Sequence, residues 1–167
     1  MSATIVIREA NLNDPRDARA VVEVLDSYAS DPRGGSEPLA ADVRSRLVPM
    51  LREHPTTLVL LAFDDEEAVG LAIGFWGMSS FRARPLLNIH DLAVRPGYRG
   101  KGVGRALLTA AEARARERDC CKLTLEVQDD NAPARMLYDR FGFHDVVYGN
   151  SGPTRFLSKK LDQGDPQ

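Results

Sequence analysis

The stretch Leu92-Ala-Val-Arg-Pro-Gly-Tyr-Arg-Gly-Lys-Gly-Val-Gly-Arg-Ala-Leu107 constrains this chain more than any other. An apolar strand ending meets a turn with glycine at alternate positions and then the opening of a helix. Gly100, Gly102 and Gly104 have no Cβ, so the backbone reaches conformations closed to other residues and a ligand can come close. The first turn of a helix leaves N–H groups unpaired at the positive end of its dipole. Strand, glycine turn and helix start, in this order, make a cradle for an anion such as phosphate. Arg99, Lys101 and Arg105 add charge within reach of its oxygens. The plainer alternative is a glycine-rich turn carrying solvated arginines.

The same stretch sets much of the topology. Val103, Ala106, Leu107, Ala110 and Ala111 form the apolar stripe of a helix reaching about Arg118, with Glu112 and Arg116 paired on its wet side. Residues 122–128 alternate, placing Leu123, Leu125 and Val127 on one face. The strand–helix–strand unit over 86–128 is therefore expected to be parallel. Upstream, residues 3–8 read as a first strand. A helix then starts at Asp14 as N-cap, with Pro15 in the first turn, Asp17 three residues after the cap, and apolar positions recurring to Ala29. A mobile loop is expected over 30–38. Leu39, Val43, Leu47 and Leu51 mark a second helix that Pro49 should kink or end. Residues 57–63 and 68–76 form a hairpin around Asp64–Glu67, and a polar connection leads to the strand 86–94. Downstream, Asn131 caps a last helix that Gly142 ends, and 143–148 and 154–161 read as two closing strands. The order β-α-α-β-β-β-α-β-α-β-β describes one mixed α/β domain over 1–161. Residues 162–167 lack an apolar anchor and are expected to be disordered.

Composition narrows the ligand. With 167 residues, 43% hydrophobic and 28% charged, the chain is expected to be one soluble domain with a sizeable core. The net charge of −2 creates no global field toward nucleic acid or anionic lipid, so an anion must be held locally. No window approaches a membrane span and the first residues do not read as a signal peptide, so a cytoplasmic location is expected. Cys120 and Cys121 are adjacent and cannot staple distant parts of the chain. His54, His90 and His144 stand singly, so no metal site is expected.

Among phosphate ligands, a P-loop fails because Lys101 is followed by Gly102 rather than a hydroxyl residue. A dinucleotide fingerprint is a weak fit, since the glycines run G-x-G-x-G, with Glu126 as the available ribose partner. The motif Arg99-Gly-Lys-Gly102-Val-Gly104, after Leu92-Ala-Val-Arg-Pro96, resembles the pyrophosphate loop R/Q-x-x-G-x-G/A of the GCN5-related N-acetyltransferases (GNAT). Residues 131–143, from Asn131 through Tyr138 to Phe143, are similar to that family's N-x-x-A-x-x-x-Y-x-x-x-G-F stretch. The two motifs in this order cover residues 86–143.

The resemblance implies a GNAT-like α/β domain: a mixed, mostly antiparallel sheet with helices on both faces and a central parallel pair, the fourth and fifth strands, that splays. It implies direct transfer of the acetyl group of acetyl-coenzyme A to an amine, without an acyl-enzyme. The pantetheine arm would lie in the splay, held by backbone amides near Leu92, Ala93 and Val94. The pyrophosphate would sit at Arg99, Gly100, Lys101, Gly102, Val103, Gly104 and Arg105. Tyr138 occupies the family's general-acid position, facing the sulfur; taken alone it reads as a core tyrosine with its hydroxyl on a carbonyl, and its place seven residues after Asn131 reverses that. For the base, His90 has a suitable imidazole, where many members place a carboxylate on this strand. Asp91 is the alternative, on the opposite face if the strand is regular; a bulge would upset that parity. Asn131 either bonds the coenzyme's amide arm or only caps its helix. Cys120 and Cys121 read as small buried residues opening a strand.

For the acceptor, Arg82 and Arg84 suggest a clamp on a carboxylate, whereas Asp31 and Glu37 suit a cationic amine or a peptide lysine. The partners expected are acetyl-coenzyme A and an amine, with a homodimer left open and neither nucleic acid nor membrane. A non-catalytic acyl-coenzyme A sensor remains the other class of reading.

Overall fold

A computed structural model describes residues 4–161, so the disordered tail expected over 162–167 lies outside the described residues. Its elements are β1 (Ile5–Glu9), α1 (Pro15–Ala29), α2 (Ala41–Glu53), β2 (Thr57–Asp64), β3 (Glu67–Ser79), β4 (Arg84–Val94), a 3-10 turn (Pro96–Tyr98), α3 (Val103–Glu117), β5 (Leu123–Leu125) and α4 (Ala132–Phe141). The five strands form one sheet in sequence order. The first three pairings are antiparallel and β4–β5 is parallel, with Leu87 opposite Leu123 and Ile89 opposite Leu125. This is the expected mixed sheet with its parallel fourth and fifth strands.

Side-chain alternation divides the core between two faces. Leu61, Leu71, Ile73 and Ala93 cluster with Val21 and Val24 of α1 and Val48 and Leu51 of α2. On the other face α3 comes so close to β3 that only glycine fits between them. A Cβ on Gly70 would lie 2.8 Å from Val103 Cγ1 and 3.1 Å from Leu107 Cδ1. Burial of Val103, Leu107, Leu108 and Ala111 thus sets the glycine turn directly beyond the end of β4.

α1 begins as its sequence requires, with Asp14 Oδ1 accepting from Arg16 N–H at 2.8 Å and Pro15 in the first turn. Asp17 does more than favour a helix start. It is 2% exposed and accepts from both terminal nitrogens of Arg8, at 2.6 and 2.7 Å, and from Asn11 N–H at 2.8 Å. It therefore ties β1 to α1.

Three sequence expectations are corrected. α2 runs through Pro49 to Glu53, because packing of Val48 and Leu51 outweighs the lost hydrogen bond, whose carbonyl on Ser45 lies at an exposed position. The strand expected over 122–128 is paired only at Leu123–Leu125, since β4 bulges beyond Ile89 and leaves its neighbour. The closing strands 143–148 and 154–161 are reduced to one antiparallel bridge between Val147 and Pro153. Proline has no N–H for a ladder, and Val147, Tyr148, Phe156 and Leu157 are exposed, so alternation there is not converted into burial.

The chain divides into two compact units at Val127/Gln128. The second contains α4, capped by Asn131, whose Oδ1 accepts from Ala134 N–H at 3.3 Å. Gly142, at φ +101°, ends the helix, and the Phe143 N–H donates to the Tyr138 carbonyl.

Candidate active site

The β3–β4 ladder pairs Ile73 with Asp91 but Gly74 with Ile89, leaving His90 as the extra residue of a bulge. Two hydrogen bonds show what the bulge does. Leu87 N–H donates to Lys122 O, toward β5, at 3.2 Å, whereas Arg95 N–H donates to Val69 O, toward β3, at 2.9 Å. In a regular strand residues an even number apart point their amides the same way, so the bulge has reversed the parity. Leu92 and Val94 consequently turn their amides to the side that β5 leaves after Leu125. The expected splay is this: β4 continues to Val94 with hydrogen-bonding groups facing a place where the ladder has stopped.

The bulge also brings His90 and Asp91 to one groove, where a regular strand would have separated them. The groove, about 350 Å³, has Val43, Leu47 and Met50 of α2 on one side and Ile73 and Phe75 of β3 with His90 and Asp91 of β4 on the other; Arg46 and His54 also line it. The Phe75 ring lies edge-on between two imidazoles, its centroid 5.0 Å from that of His54 and 5.7 Å from that of His90. Asp91 is half-buried. Loss of solvent pushes its carboxyl above the usual carboxylate range, with His90 pulling the other way.

Beyond β4, Arg95 Nε donates to Ala68 O at 2.8 Å and the chain turns through Pro96–Tyr98 into the glycines. Gly100 and Gly102 have φ of +74° and +84°, the left-handed region that disfavours a Cβ. Gly102 is the N-cap of α3 and offers no side-chain cap, so the first amides of the helix face outward. A Cβ built on Gly100 or Gly102 meets nothing within 4 Å, so the concavity before the helix is open. Lys101 and Arg105 are exposed beside it, with Lys101 Nζ 5.2 Å from the Tyr98 ring centre. Open space, outward amides and exposed cations fit a pyrophosphate.

Arg99 is more constrained than its sequence position implies. Its Nε donates to Val94 O at 3.2 Å and its guanidinium pairs with Asp31 at 2.9 Å. Asp31 is held below the usual carboxylate range by the Arg33 backbone N–H and then by Arg99. It also organises the loop after α1, since Gly34 and Ser36 N–H donate to its carbonyl. The loop expected to be loose over 30–38 is thus bonded to the glycine turn.

The carboxylate clamp is not assembled. Arg84 donates to the backbone carbonyl and to Oδ1 of Asp119, the latter at 2.6 Å. Asp31, the proposed anchor for a cationic acceptor, is occupied by Arg99. Cys120 and Cys121 are free thiols of intermediate exposure, and burial pushes the Cys120 thiol up, away from a reactive thiolate. In the second unit the Tyr138 ring packs edge-on against Phe143, centroids 5.9 Å apart. Sequence reasoning passed over Val43, Leu47, Met50, His54 and Phe75 as site residues. The available signal was Met50, apolar and seven residues after Val43, hence on the same helical face. Among the described residues no three of His, Cys, Asp and Glu gather as metal ligands, and no helix is long and apolar enough to cross a membrane.

The family model described as acetyltransferase (GNAT) matches residues 21–143. The chain is 37% identical over 129 residues to the streptothricin acetyltransferase of Streptomyces lavendulae, a match covering 77% of this chain and 59% of that protein. It is 29% identical over 141 residues to an uncharacterized N-acetyltransferase, YhfO, of Bacillus subtilis (strain 168), covering 83% of this chain and 89% of the relative. Its fold is that of a crystal structure of a transcriptional regulator from Bacillus halodurans C-125, with TM-score 0.74 at 22% identity over 90% of this chain and 100% of the other. The strand–glycine turn–helix and the matched family sequence agree: this chain belongs to the acetyltransferase (GNAT) family.

Proposed function

We propose that the chain, acting over residues 1–161 as one acetyltransferase domain, transfers the acetyl group of acetyl-coenzyme A directly to a primary amine. The observation that carries this reading is the β4 edge: it outruns β5 after Ile89, turns the Leu92 and Val94 amides to the vacated side and leads into the open glycine turn. An extended amide-bearing arm fits along Leu92–Val94, and a pyrophosphate at its end fits against residues 99–105. Acetyl-coenzyme A, when bound, supplies an acetyl group activated as a thioester. The amine nitrogen bonds to the acetyl carbon as the carbon–sulfur bond breaks; nitrogen gives up a proton and sulfur receives one. His90, in the groove, takes the first proton at an imidazole nitrogen. Tyr138 supplies the second from its hydroxyl, and Asn131 holds its helix and the arm's amide. The likeness to a protein named for acetylating streptothricin supports acetyl transfer.

The test is thiol release from acetyl-coenzyme A by the full chain with a panel of amines. Amine-dependent release is expected. Tight binding of acetyl-coenzyme A with no release beyond background for any amine would make the chain a sensor.

A further inference from the structure

The groove beneath α2 has a chemical character that no relative's name supplies. Its walls are mostly apolar, from Leu47, Met50, Ile73 and Phe75. Met50 is 63% exposed and belongs to the groove rather than to the core. The charges are unequal. Arg46 is spent on Asp42, one turn back on α2, at 2.7 Å. Asp91, among the described residues, makes no ion pair with Lys or Arg, and has only the neighbouring His90 for company. A ligand carboxylate would have to draw Arg46 from Asp42, while an ammonium would find an unneutralised carboxylate.

We propose that this groove is the acceptor pocket and takes a primary amine on a compact apolar body, an aryl or short alkyl group, with the ammonium docked on Asp91. This rests on the reading of the chain as an amine acetyltransferase and adds what the amine is attached to. Burial that disfavours a lone Asp91 carboxylate is relieved when a cation joins it, so the site selects charge at one end and apolar surface at the other. The size agrees, since about 350 Å³ lies at the small end of ligand pockets. Polyamines and amino acids are disfavoured by the same reasoning: the first would press additional charges on apolar walls, the second a carboxylate that must compete with Asp42 for Arg46.

The experiment measures acetyl transfer and, separately, binding by calorimetric titration in the presence of coenzyme A. The full chain is given 2-phenylethylamine, hexylamine, ethanolamine, spermidine and phenylalanine. Two further proteins are Val43→Ser with Met50→Ser, both at exposed positions, and Asp91→Asn. The two apolar amines should surpass the other three by about tenfold or more in kcat/KM, as burial of a few methylenes implies. The double variant should raise KM for 2-phenylethylamine about five- to tenfold, and Asp91→Asn should raise it at least as far. KM for acetyl-coenzyme A should be unchanged in both. Turnover that favours ethanolamine, spermidine or phenylalanine, or that ignores the variants, overturns the groove assignment and leaves the transferase reading standing. Binding of 2-phenylethylamine that the variants weaken, without turnover of any amine, upholds the groove and overturns the transferase reading. With neither binding nor turnover, both fall. A sedimenting dimer that the double variant converts to monomer would give the groove to a second copy of the chain and overturn the proposal.

Discussion

His90 and Asp91 meet because of one extra residue in β4, and burying Asp91 there has an energetic cost that His90 only partly offsets. A carboxyl whose pKa is raised on folding keeps its proton longer in the folded state. As pH climbs above the ordinary value of 3.8, the unfolded chain releases the proton first, and stability falls until pH passes the raised folded value. Asp91→Asn removes that loss, so its Tm at pH 7 should exceed that of the wild type, with a shallower decline above about pH 4. A lower Tm at pH 7 would refute the account. The amine should nevertheless bind this more stable variant less well, because a group disfavoured by folding is retained for its ligand. Tyr138 is tested by kinetics. Tyr138→Phe should lower kcat by about 10²- to 10⁴-fold at nearly constant acetyl-coenzyme A affinity, because its hydroxyl is asked to act as sulfur leaves. An unchanged kcat in single-turnover measurements would return the ring to its packing role on Phe143.

Among the elements, α3 and α1 carry separable duties. The α3 start combines a left-handed Gly102 with open space in front of it, so Gly102→Val forces a strained backbone conformation and fills the concavity. The expected result is a loss of acetyl-coenzyme A affinity of tenfold or more by titration, on the order of 1.4 kcal/mol, with the far-ultraviolet circular dichroism of a folded chain. Full affinity in a folded Gly102→Val protein would remove the cradle. Asp17 acts on stability. Deleting a buried carboxylate that holds Arg8 and the Asn11 amide should cost about 2–3 kcal/mol in denaturant unfolding of Asp17→Ala. Its pKa is depressed, chiefly by the Arg8 hydrogen bonds, so this contribution is present above the ordinary value of 3.8 and fades as pH falls through the lower folded value. Acid should therefore narrow the gap between wild type and Asp17→Ala, which urea titrations near pH 3 and pH 7 would read directly.

For the molecule as a whole, a ligand that binds only the folded chain must raise its thermal midpoint. At 100 times its dissociation constant acetyl-coenzyme A should stabilise by about 2.7 kcal/mol, or about 5–10 °C for a chain of this size. A nicotinamide dinucleotide at the same concentration should do nothing, and the reverse result would install the dinucleotide reading. Much of this architecture was legible in the chain because its signals are local. Glycines at alternate positions between a strand and a helix, Asp14 before Pro15, and Asn131 and Gly142 at the ends of α4 act through the backbone nearby, and each does what its residue type demands. What failed depended on partners distant in sequence. Alternation over 143–161 meets no ladder, Pro49 is overruled by the packing of its neighbours, and Asp17 turns from a helix start toward Arg8. Arg84 and Asp31, legible as charges, find Asp119 and Arg99 as partners that their positions did not suggest. Residue type and spacing determined the family, the strand–glycine turn–helix and the order of elements through α4. Only the folded sheet decided that His90 is a bulge, that Asp91 shares its groove, and that α2 supplies the apolar wall, because register, burial and the choice among charged partners are properties of segments brought together.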